Sequence, residues 1–117
     1  MHMGSTFHHD SMLSMYEQIA VHAAEMEDAA DAGDWDTVTA LERECAILVA
    51  RLRAEDTSVP LEPRQRERKT LLLTQILRSD AYVRSVAQPV MDALQHQIAD
   101  ARRGSQAHQA YGRMARF

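Results

Sequence analysis

The second half of the chain carries one apolar stripe at helical spacing, Leu73, Ile76, Val83, Ala87, Val90, Leu94 and Ile98, and it keeps its phase across Pro89. Side chains three and four apart share one face of a helix, so the stripe predicts a long amphipathic helix. Interior proline costs ~3 kcal/mol and bends a helix, but a continuous buried stripe can offset that locally. One helix over 64–103, bent near Gln88, is the favoured expectation. The competing one breaks at Ser79-Asp80, where Asp80 can cap a new helix.

Two shorter helices precede it. Asp10 or Ser11 can cap the first, in which Leu13, Tyr16, Ile19, Ala20, Ala23 and Met26 form the buried stripe. Gly33 ends it, because glycine enters the left-handed conformation without a side-chain penalty. Asp34 caps the second, where Val38, Leu41, Cys45, Leu48 and Leu52 alternate by three and four, the seam of packed helices. So tight a turn predicts an antiparallel hairpin, with Trp35 folded over its end. The segment 56–63 (DTSVPLEP) reads as a loop, since its prolines disfavour helix before them.

Past the long helix, Gly104 is expected to break the pattern and Ser105 to cap a last short helix carrying Ala107, Ala110, Tyr111 and Met114. The expected fold is thus all-α: an antiparallel three-helix bundle with a long third helix and a short C-terminal fourth. Residues 1–9 read as a disordered leader in which Met1 to Ser5 resembles a cloning remnant. Residues 10–103 form the bundle and 104–117 a mobile tail. A chain of 117 residues makes one domain that buries roughly two thirds of its unfolded surface, leaving little room for a deep catalytic cleft.

The net charge of -4 is unevenly spread. Residues 1–56 hold 12 acidic and 3 basic residues, 57–101 hold 5 and 6, and 102–117 hold none and 4. An acidic front and a basic tail attract weakly through solvent, and this is not the pattern of a nucleic-acid binder. One cysteine cannot form an intramolecular disulfide, and no run approaches the ~18 apolar residues of a membrane span. A soluble protein of a reducing compartment is expected.

Candidate chemistry is thin, and no enzyme, cofactor or metal site is expected. Asp92, His96 and Asp100 lie four apart on one face, a trio that reads more readily as solvated i,i+4 pairing than as metal ligands. His8 and His9 fall in the leader, while His22 and His108 have no partner within a turn that would build a nucleophile. Cys45 sits on the core seam as a small hydrophobe. Arg64, Arg66, Arg68 and Lys69 lack interleaved aromatics and read as a solvated helix start, with cations opposing the dipole there that suit an acidic partner.

Length gives the sharper functional signal. A third helix of about 40 residues is roughly 60 Å long, against roughly 30 Å for each shorter helix. Its N-terminal half, with Leu71, Leu72 and Leu73, is expected to pack on both neighbours. Val83, Val86, Val90, Met91 and Leu94 extend beyond their reach, and contiguous exposed apolar surface marks an interaction site, here for a partner helix. Tyr111 is an aromatic on a short basic tail, either an anchor onto the body or one that a partner captures.

These residues point to a family. Asp34-Trp35-Asp36 with Glu42, Ile76-Leu77, Met91-Asp92 with Leu94, and Ala110-Tyr111-Gly112 follow one another in an order and spacing that resembles the bacterial flagellar export chaperone FliT, over about residues 11 to 112. Pro89 and the brief tail after Gly112 depart from the family pattern. The resemblance implies a cytoplasmic chaperone that binds the C-terminal region of the filament-cap protein FliD, prevents its early assembly and escorts it to the type III export apparatus. By the same resemblance, the apolar face with Leu72, Ile76, Val83, Val86, Val90 and Leu94 looks like the cargo surface. Tyr111 looks like the tyrosine that docks on the export gate protein FlhA, and the last helix like a regulatory cover of the groove. The export ATPase complex and the regulator FlhDC are further partners that the resemblance suggests. The alternative is a homodimeric helical adaptor that binds a transcription factor such as FlhDC through the same stripe.

Overall fold

A computed structural model describes residues 3–55 and 60–115. The chain is all-α, with helices α1 (Met3–Asp31), α2 (Trp35–Ala54) and α3 (Pro63–Ala115), and no strand among the described residues. Helix α1 starts earlier than its capping residues suggested. Residues 3–9, expected as a disordered leader, are helical, and His9 is buried. Met12, Met15, Ile19, Ala23, Ala29 and Ala30 form the buried face of α1. Leu13, Tyr16, Ala20 and Met26 flank it half-buried, so the face is centred about one residue from the expected stripe. Methionine, unbranched and adaptable, fills the space that a leucine-based reading gave to Leu13.

The hairpin between α1 and α2 is closed by local chemistry. Gly33 has φ +71, its amide donates to the Ala30 carbonyl at 3.0 Å, and the Asp34 amide reaches back to the Ala29 carbonyl at 2.8 Å. That pair of bonds is a Schellman closure, which satisfies carbonyls the helix end would leave open. Asp34 then starts α2, its carboxylate accepting from the Thr37 amide at 3.2 Å and from the Thr37 hydroxyl at 2.6 Å. These bonds, side chain first, hold the Asp34 carboxyl below its ordinary range. Nothing lies within 4 Å of a Cβ built on Gly33, so Gly33→Ala meets only the left-handed backbone penalty. It is expected to cost about 1 kcal/mol and lower the melting midpoint by several degrees. An unchanged midpoint in thermal unfolding would mean that the turn relaxes into another geometry.

In α2 the expected seam holds: Val38, Leu41 and Leu48 are buried, and Cys45 and Leu52 are half-buried. The close backbone approach is between α1 and α2, where the small side chains Ala23, Ala29 and Ala30 let the axes come together. Helix α3 opens with Pro63 in its first position, where a missing N–H costs nothing. The Glu62 amide donates to Gln65 Oε1 at 2.9 Å, half of a capping box.

Two contacts fix the direction of α3. Arg68 reaches Glu17 at 3.4 Å and the Tyr82 hydroxyl donates to Asp31 at 2.6 Å, both pairs 51 residues apart. A constant offset over about four turns means that this part of α3 runs parallel to α1, and hence antiparallel to α2. Met15, Ile19 and Leu48 make the central cluster, against which Cys45, Val49, Leu52 and Ile76 pack.

The fourth helix is not seen. Helix α3 continues through Ser79-Asp80, Pro89 and Gly104 as one 53-residue element, so neither the competing break at Asp80 nor the expected one at Gly104 occurs. Gly104 has an ordinary negative-φ backbone, Gly33 being the described glycine with positive φ. A helical glycine costs ~1 kcal/mol relative to alanine, which arginine, glutamine and alanine neighbours absorb without ending the helix. The chain groups into two compact units, residues 1–84 and 85–117. That boundary lies within α3, not at Gly104.

Candidate functional site

Within residues 1–84, α3 and the α1–α2 hairpin leave two adjoining apolar hollows. One, of about 310 Å³, is lined by Ile19, Ala23, Met26, Cys45, Val49, Ile76, Leu77 and Val83, with Glu42 and Asp80 at its edge. The other, of about 300 Å³, is lined by Tyr16, Ile19, Val49, Leu52, Leu73 and Ile76, with Arg53 at its edge. Ile19, Val49 and Ile76 line both, so the two form one groove. Leu71 and Leu77 on α3 and Ile47 on α2 are more than half exposed.

The expected cargo residues separate here. Leu72 is 2 % exposed, an internal packing residue and not an accessible contact. Val83 is buried and lines the groove, and Ile76 is half-buried and lines both hollows. The groove-lining Met26, Val49 and Leu77 were not singled out as site residues. Leu77 lies off the main stripe and, with Leu71 and Leu72, is a sign in the sequence that α3 presents more than one apolar face.

Within residues 85–117, Val86 and Ala87 are half-buried, while Val90, Met91, Leu94 and Ile98 are 40–55 % exposed. Four large apolar side chains spaced over two turns form a contiguous patch of the kind that binds protein. Tyr111 is 74 % exposed.

The polar candidates have structural employment. The Gln88 side-chain amide donates to Asp92 at 2.9 Å and Arg103 pairs with Asp100, which leaves the Asp92, His96 and Asp100 trio as a solvated face. No group of three metal-ligating side chains stands together among the described residues. His22 Nε2 lies 3.3 Å from Glu44 across the α1–α2 interface, a partner that periodicity within one helix could not reveal. The Cys45 thiol is pushed up, first by burial and then by Glu44 and Glu42, which suppresses the reactive thiolate. In the basic cluster, Arg68 engages Glu17 and the Lys69 ammonium sits 5.7 Å from the Tyr16 ring centre. The Tyr82 phenol is held above its ordinary range by its bond to Asp31. No helix among the described residues is long and apolar enough to cross a membrane.

Comparison with known proteins gives a consistent answer. The family model for flagellar protein FliT matches residues 13–113. Among solved structures, the crystal structure of flagellar protein FliT from Bordetella bronchiseptica is similar to this chain at 38% sequence identity. The match covers 73% of this chain and 96% of that one, with a TM-score of 0.69. No curated protein sequence matches.

Proposed function

We infer the function of this chain from the premise that it belongs to the FliT family of flagellar proteins. It is a flagellar export chaperone that binds the C-terminal region of the filament-cap protein FliD in the cytoplasm, keeps it from assembling early and escorts it to the export gate. The observation that carries this reading is the exposed stripe Val90, Met91, Leu94 and Ile98 on a helix otherwise rich in charge and glutamine. Apolar side chains left in water at helical spacing gain by accepting the apolar face of another helix. The groove at Ile76 and Val83 is a second surface of the same kind.

Tyr111 is assigned to docking on the gate protein FlhA, since an exposed aromatic near a helix end is an efficient anchor. The tail regulates cargo binding, with Gly104 as the position at which α3 yields when residues 105–117 turn back over apolar surface. Such a cover and an incoming cargo helix compete, which couples tail release to capture.

The test is isothermal titration of the full chain with the C-terminal segment of its cognate FliD at several temperatures. Binding with a negative heat-capacity change is expected, the mark of apolar burial. Removal of residues 105–117 is expected to tighten it. No heat at either length would send the reading to the homodimeric adaptor.

A further inference from the structure

The groove is electrically polar along its length. Glu42 and Arg53 both stand on α2 at its edge, one by each hollow. Eleven residues make about three helical turns, so the two side chains share a face of α2 roughly 16 Å apart. Other charges at the groove are spoken for: Asp80 pairs with Arg84, Arg68 with Glu17, and Lys69 lies over Tyr16. Among the described residues neither Glu42 nor Arg53 enters an ion pair. Two opposite charges without ion-pair partners among the described residues thus flank an apolar trough whose remaining lining charge, Asp80, is paired with Arg84.

We propose that the groove admits its cargo helix in one direction, antiparallel to α2, with a basic C-terminal flank over Glu42 and an acidic N-terminal flank over Arg53. This rests on the cargo reading above and specifies it. The occupant is an amphipathic helix whose opposite charges stand about eleven residues apart, with apolar side chains between them at i+4 and i+7 or i+8 entering the two hollows. Helices commonly carry acids in the first turn and bases in the last, which complements their own dipole. Such a helix meets both edge charges only in the antiparallel direction, which also sets its dipole against that of α2.

The experiment uses the full chain and two forms of the FliD C-terminal segment with identical apolar residues. One has an acidic N-terminal and a basic C-terminal flank; the other has the flanks exchanged. Calorimetry at low salt is expected to favour the first form by about tenfold, since the exchanged form meets both edge charges only by lying parallel to α2, which reverses the order of its apolar residues over the two hollows. The preference is expected to shrink at high salt. The double variant Glu42→Lys with Arg53→Glu is expected to reverse the preference, which differences in free-peptide helicity cannot do. Both positions are exposed, so the fold should persist, and circular dichroism checks it.

Cys45, the single cysteine of the sequence, supplies a second readout. It lies one turn from Glu42, so a segment with an activated disulfide at its basic end should couple to it faster than one activated at its acidic end. A preference that the double variant leaves unreversed, or equal coupling from both ends, would overturn the direction while the cargo reading stands. Salt-independent binding of both forms, with self-association of the chain altered by the double variant, would give the groove to a second copy. Binding of neither form would remove both readings together.

Discussion

Leu72→Ala is expected to lower the unfolding free energy by about 2–5 kcal/mol, the range for truncating a buried leucine, where lost transfer energy adds to the cavity left behind. Leu72 is 2 % exposed, the most deeply buried among the described residues of α3. A domain of this size has about 5–15 kcal/mol in total, so the change takes a large share of its stability and should move the urea midpoint far to lower concentration. Leu94→Ala, on the same helix and half exposed, is expected to stay within about 0.5 kcal/mol of the parent. The family resemblance placed both leucines on the cargo surface, although helix length alone already put Leu72 in the half that packs on its neighbours and Leu94 beyond their reach. Equal urea midpoints for Leu72→Ala and the parent would restore Leu72 to an accessible cargo surface.

What was legible in the sequence was what is decided locally. Gly33 and Asp34 announced a helix stop and a helix start, and the Schellman bonds and the Thr37 cap occur at those residues. The α2 seam was legible because Val38, Leu41, Cys45, Leu48 and Leu52 alternate by three and four over the whole helix, whereas Ile47 and Val49 do not extend into a second stripe. In α1 two overlapping apolar sets, one built on Met12 and Met15 and the other on Leu13 and Tyr16, lie about 100° apart, and only packing against α2 and α3 chooses between them. Gly104 misled because a glycine's cost is close to the gain from its helix-favouring neighbours, so the outcome turns on small sums. The groove itself could not be read, although Ile76 and Val83 on its α3 wall were expected as cargo contacts. It exists because Ile19, Val49 and Ile76 come from three helices, and its edge charges align only when α2 is seen as a helix beside a hollow.

The second large effect concerns binding. Val90→Asp together with Leu94→Asp is expected to weaken capture of the FliD segment by about a hundredfold or more while leaving the melting midpoint within a few degrees. A leucine or valine buried at an interface contributes about 1.5–3 kcal/mol over an exposed one, and these two are 40 % and 52 % exposed in the free chain, so about half of that remains to be gained from a partner. Carboxylates in their place add a desolvation cost that a cargo helix could not offset without a paired cation. Together the terms exceed about 3 kcal/mol, past the hundredfold mark. Stability is spared because the wild-type side chains already meet water. The same titration sorts the surfaces: unchanged affinity in the double variant would confine cargo to the groove at Ile76 and Val83, and a loss there would assign the stripe a direct part in capture.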